Sequence, residues 1–148
     1  MSTLVASVDL HPVPPSVPVA RHLVRDLLHA WGAPHDAEDA ALLVTELVAN
    51  VVDHVAGEAS FTLHVTLAER WLRISVADGS ALRPVVRDLQ VSAQRGRGMR
   101  LVEAIADRWG IEERGDGKCV WFELAPPGFA DDGPRGPAEE RPTEEGTA

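Results

Sequence analysis

Lysine is almost missing from this chain of 148 residues: Lys118 is the only one, and arginine supplies nearly every cation. A GC-rich genome is sufficient to explain that bias. Cysteine is equally scarce. Cys119 stands alone, so no internal disulfide can form, and no set of four Cys or His residues has zinc spacing. Basic charge is short as well, because 14 Lys and Arg against 23 Asp and Glu leave a formal net charge of −9. A duplex-binding surface needs clustered cations, so we expect protein or small-molecule partners and no direct nucleic-acid contact. Long apolar runs are lacking too: nothing approaches the roughly 18 consecutive apolar residues of a membrane span. The start MSTLVASVDLHP has neither the basic segment nor the long apolar core of a signal peptide. The expectation is a cytoplasmic protein with no membrane partner.

What is present suits one folded unit. Hydrophobic residues make up 45% of the chain, enough for a single core at this length. The domain should occupy residues 1–125. From Pro126 the text becomes PPGFADDGPRGPAEERPTEEGTA, where five Pro and four Gly take nine of 23 positions. So little apolar surface cannot offset the entropy of ordering, and residues 126–148 read as a disordered acidic tail.

Within the domain, LVASVDL over residues 4–10 reads as a short strand, followed by the proline-punctuated HPVPPSVP. Val19, Leu23, Val24, Leu27, Leu28 and Trp31 recur at helical spacing, which predicts a helix over 17–31 ended by Gly32. A second helix should start near Pro34 and run to about Val55, with Asp36, Glu38 and Asp39 complementing its dipole. FTLHVTLA and WLRISVAD alternate with period two and predict a hairpin turned by ERW. Residues 79–98 show no sustained period and read as a loop. MRLVEAIADRW predicts a third helix, and GIEERG and KCVWFEL two more strands joined by Gly115-Asp116-Gly117. Together these predict an α+β two-layer sandwich, with helices on one face of a mixed, mostly antiparallel sheet.

The second helix carries an anomaly. In ELVANVVDHV, Glu46, Asn50 and the pair Asp53/His54 fall on one stripe, while Leu43, Leu47, Val51 and Val55 form an opposite apolar one. A solvated face is the ordinary explanation of polar helix residues. Here, though, Leu42, Val44, Val48, Ala49 and Val52 surround the stripe, and Asn is a poor helix former. A carboxylate and a carboxamide one turn apart in apolar surroundings make sense in a cleft. Glu46 can take a proton from a hydroxyl, and the Asn50 amide oxygen is the hard neutral ligand that Mg²⁺ accepts beside phosphate oxygens.

Two further stretches fit a phosphate-bearing ligand. In QRGRGMRLVE, Gly96 and Gly98 precede a helix, where glycine permits close backbone approach to an anion and Arg95 and Arg97 add charge. A flexible loop would read the same. Asp78-Gly79 ends a strand, and its acceptor-only carboxylate can receive a hydrogen bond from an exocyclic amine such as that of adenine, although an Asp-Gly pair can equally make a plain turn.

The order E-x-x-x-N on a helix, D-G after a strand and G-x-G opening a helix resembles the Bergerat-fold ATPases, the family of histidine kinases, gyrase and the heat-shock chaperone ATPase. LLVTELVANVVDHV, GRGMRLVEAIADRWGIEE and GKCVWFEL are similar to the wording of the bacterial anti-sigma-factor serine/threonine kinases, including the short actinobacterial regulators. That resemblance implies ATP and Mg²⁺ as cofactors. Glu46 would be the general base, Asn50 the Mg²⁺ ligand, and Asp53 and His54 the remainder of the same box. Asp78 would hold the adenine amine beside Gly79. Gly96, Arg97, Gly98 and Met99 would wrap the phosphates, with residues 80–95 as the lid. Implied partners are an anti-sigma-antagonist protein, a sigma factor, or both, and a homodimer through an exposed sheet edge. The space before Val17 holds no dimerisation helix pair with a phosphoacceptor histidine, so a complete sensor kinase is not expected.

Two departures motivate an alternative. Asp78-Gly79-Ser80-Ala81-Leu82 lacks the later glycines of the family's box, and Cys119 stands where the last strand usually offers a threonine. The alternative is a module that binds ATP without transferring phosphate, or binds no nucleotide, and sequesters its partner. A third reading is an acidic globular domain with an empty cleft.

Overall fold

The computed structural model describes residues 3–54, 60–78, 99–114 and 117–128. The first helix, α1 (Ser16–Trp31), begins where the Ser16 hydroxyl donates to His11 O at 2.6 Å. It stops at Gly32, whose φ of 65° is the left-handed cap conformation that glycine adopts without strain. The buried stripe is Ala20, Val24 and Leu28, four residues apart.

The second helix, α2 (Ala37–His54), starts three residues later than Pro34 suggested. Asp36 is the reason: its Oδ1 accepts the N–H groups of Glu38 at 2.9 Å and Asp39 at 3.1 Å, the bonds of an N-cap. The third helix, α3 (Met99–Ile105), is shorter than the MRLVEAIADRW pattern predicted. Asp107 N–H donates to Glu123 O at 3.0 Å and Asp107 Oδ2 accepts from Ala125 N–H at 2.9 Å, so the chain turns into a strand at Arg108. α2 packs against both α1 and α3 and crosses the middle of the sheet.

Among the described residues, five strands follow the sequence order β1 (Thr3–Leu10), β2 (Phe61–Ala68), β3 (Trp71–Asp78), β4 (Arg108–Arg114) and β5 (Gly117–Leu124). In space the order is β1-β2-β3-β5-β4, and all four pairings are antiparallel. The α+β sandwich is as expected, without the parallel pairing that a mixed sheet would carry among the described residues. The β2–β3 turn is tight, with Glu69 at a φ of 60°. His35, buried ahead of α2, donates from Nε2 to Arg70 O at 2.8 Å and ties the helix layer to that turn.

The two faces of the sheet differ. On one, Leu63, Val65, Leu72, Ile74, Val120 and Phe122 meet the buried stripes of the helices and form one continuous core. On the other, the register sets Arg73, Glu123 and Arg108 in a row. Arg73 pairs with Glu123 at 3.3 Å and Glu112 at 3.4 Å, and its guanidinium lies 4.1 Å from the Trp121 ring centre. Arg108 repeats the motif with Glu123 at 3.4 Å and over Trp71 at 3.9 Å. Trp121 in turn lies on Gly110, where an added Cβ would meet the indole at 2.8 Å. No described helix is long and apolar enough to cross a membrane. The expected tail lies outside the described residues from residue 129 onward.

Candidate functional site

α2 is built to present polar groups without losing its grip on the core. Residues advance about 100° round a helix. Taking Leu47 as the core direction, Asn50 lies about 60° to one side and Glu46 about 100°, on the flank shared by Asp39 and Asp53. The polar stripe therefore borders the apolar one instead of opposing it. That corrects the expected layout, and it explains the burial: Asn50 is 8% exposed, Glu46 is half-buried, and Asp53 at the helix end is exposed.

The chemistry of this flank follows from its partial dryness. Desolvation disfavours the charged form of a carboxylic acid, and it pushes Glu46 above its ordinary 4.5. No hydrogen bond or ion pair holds the Glu46 carboxyl among the described residues, so nothing there competes for its lone pairs. Such a group can accept a proton from a hydroxyl brought alongside it. Asn50, one turn on, has its Cβ about 5–6 Å away. Its amide is neutral, which suits a buried oxygen ligand whose cation arrives with its own anionic charge. No cluster of three or more His, Cys, Asp or Glu side chains stands ready for a metal among the described residues. A cation held here would draw most of its ligands from phosphate and water.

The other predicted residues divide into two groups. His54 ends α2, Asp78 ends β3 in the register row of Phe61, and Met99 opens α3. Gly79, Gly96, Arg97 and Gly98, with the lid, lie outside the described residues. Cys119 is a small buried residue on a strand, the ordinary role of a lone cysteine. It is fully buried in β5, where Val120 and Phe122 join the core shared with the helices and Cys119 does not. Its register partners are Ala77 and Glu112, on the face of Trp121. Cys119 therefore lies on the sheet face away from the helix layer.

One residue on this flank went unread in the sequence. Asp39 sits two turns before Glu46, and burial, then the neighbouring Asp36 carboxylate, raises it above its ordinary 3.8. Its spacing of seven from Glu46 was the available signal; the helix-dipole explanation obscured it.

An antiparallel sheet covered on one face by helices, with a carboxylate and a carboxamide on the central helix, defines an α+β domain built around a polar flank. Over residues 11–124 the chain matches the histidine kinase-like ATPase domain family, and it belongs to that family. Membership implies ATP binding, usually with Mg²⁺, in a regulatory ATP-using protein. An uncharacterized protein of Streptomyces coelicolor is 34% identical over 85 residues, which are 55% of this chain and 81% of the relative. Asn50 and Glu46 fit such a ligand: one offers a neutral buried oxygen, the other an uncommitted carboxyl.

Proposed function

We propose that this protein is an ATP-dependent serine/threonine protein kinase acting in the cytoplasm as an anti-sigma factor, with an anti-sigma-antagonist protein as its phosphate acceptor. The observation that carries the reading is Glu46, half-buried, raised by desolvation and without a partner among the described residues. A carboxylate that only decorates a solvent face has its ordinary pKa.

ATP, when bound with Mg²⁺, supplies the phosphoryl group and the charge that neutralises it. Asn50 contributes a ligand oxygen to the cation. Glu46 receives the proton of the acceptor's serine or threonine hydroxyl and holds that oxygen in line. Phosphoryl transfer demands positioning and charge neutralisation more than covalent work from the protein, and two fixed groups one turn apart on a packed helix provide that. The fold is shared by proteins of many functions, so the reading rests on these side chains and not on architecture.

The test is titration of Mg·ATP into the purified chain, followed by transfer of labelled phosphate to an anti-sigma-antagonist protein from the same organism. A ligand that binds only the folded state at about a hundred times its Kd adds about 2.7 kcal/mol of stability. The wild type should show that rise in melting temperature, and Asn50→Ala should lose it. Glu46→Gln should keep ATP binding and lose transfer. Transfer that survives in Glu46→Gln would overturn the assigned base, and binding without transfer in the wild type would favour the sequestering alternative.

A further inference from the structure

We infer that, in the transfer proposed above and resting on Glu46 as its base, the acceptor protein docks on the open flank of α2 between Asp39 and Glu46, seating an apolar side chain on Leu42 and a basic side chain against Asp39. Successive residues turn about 100°, which sets Asp39, Leu42 and Glu46 at about 80°, 140° and 100° from Leu47, all on one side of it. The three share a sector of about 60°. On the other side of Leu47, Ala41 and Val48 are buried where α1 packs along α2. One flank of α2 is closed by a helix, and the other opens at Leu42.

A lone exposed leucine is ordinary on a protein surface. Leu42 is set apart by its place: it is 39% exposed and one helical turn from the carboxyl that receives the proton of the acceptor hydroxyl. A stable interface covers about 800 Å² on each partner, and a round patch of that area reaches about 16 Å from its centre. At the helical rise, Leu42 stands about 6 Å and Asp39 about 10 Å along the axis from Glu46. An acceptor that delivers its hydroxyl to Glu46 therefore covers both. Removing water from Leu42 strengthens that contact where the acceptor offers an apolar side chain in return.

Charge selects the other feature of the partner. α2 carries Glu38, Asp39, Glu46 and Asp53, and no Lys or Arg. Arg25 takes Glu38 at 2.7 Å, whereas no ion pair holds the Asp39 carboxylate among the described residues. The Asp36 carboxylate, which caps the helix beside it, adds to the negative field. A second copy of this chain, at net charge −9, would bring acid to acid here. A basic side chain on the acceptor meets Asp39 without that repulsion, and the two helical turns to Glu46 set it about 10 Å from the reacting hydroxyl.

Steady-state transfer of labelled phosphate from Mg·ATP to an anti-sigma-antagonist protein from the same organism, with the acceptor concentration varied, tests this on the full chain. Leu42→Ser should raise the acceptor KM about tenfold, with kcat, the KM for Mg·ATP and the melting temperature unchanged. Asp39→Asn should raise the acceptor KM about two- to fivefold, and added salt should weaken acceptor binding less in that variant than in the wild type. Val19→Ser, at a half-exposed position on α1, should change neither KM. Acceptor KM unchanged in both α2 variants, beside normal transfer by the wild type, would overturn the docking surface and leave the kinase reading standing. A raised KM for Mg·ATP in Leu42→Ser would assign that side chain to the nucleotide and overturn the docking surface too. No transfer by the wild type would overturn the kinase reading and the docking surface with it.

Discussion

α1 and α2 lie side by side on the same sheet and bury equivalent apolar stripes, yet they treat their polar residues in opposite ways. On α1 the polar side chains His22, Asp26 and His29 are exposed, and only Ala20, Val24 and Leu28 with Ser16 are buried. On α2, Asn50 is drawn into the buried flank and Glu46 half into it, while the apolar Leu42 is left 39% exposed. The first arrangement is what stability alone favours. The second costs stability, since a desolvated carboxyl and a buried carboxamide are harder to fold around than leucine. Sites that trade stability for activity are where such exceptions concentrate.

The largest effect should fall equally on both helices. Leu28→Ala on α1 and Leu47→Ala on α2 each open a cavity in the same core, and each should lose about 2–5 kcal/mol in denaturant unfolding. A large inequality between them would break the comparison, because it would mean that the two stripes do not share one core.

A smaller effect sharpens it. Folding raises the Glu46 pKa, so the folded state disfavours its ionised form. Below the ordinary value of 4.5 the group is protonated in both states and carries no penalty; as pH rises through the raised folded value, the penalty develops and stability is lost. Glu46→Gln should therefore melt modestly higher than wild type at pH 7, with the gap closing as the pH falls below 4.5. An unchanged melting curve for Glu46→Gln at neutral pH would remove the argument that this flank is partly dry.

Much of this contrast was readable before folding. The helical spacing of α1, the left-handed stop at Gly32, the period-two alternation of β2 and β3, and the position of Glu46 and Asn50 one turn apart all depend on neighbours within a few residues. What escaped the sequence depends on distant partners. α3 reads as continuing to Trp109, but Asp107 bonds to Glu123 and Ala125 cut it off, and those lie 16 and 18 residues away. Likewise, Cys119 matched a family position in the text, and only the strand register reveals which face it occupies. The outer-face ladder of Trp71, Arg73, Arg108 and Trp121 joins three strands, so no single window of sequence displays it.

The smallest effect tests the scaffold side. Arg25 and Glu38 join the two helices at 2.7 Å, and that short distance invites a large energy. Exposure argues otherwise. The side chains are 36% and 74% exposed, water and salt screen the pair, and two long side chains lose freedom to hold it. Arg25→Ala should cost only about 0.2–1 kcal/mol, and the difference from wild type should shrink in high salt. A loss of several kcal/mol that salt did not reduce would mean that the α1–α2 contact relies on this pair more than on the apolar stripes. The polar residues of α1 would then no longer be mere solvent-facing ones, and burial alone would not distinguish the scaffold helix from the helix that carries the site.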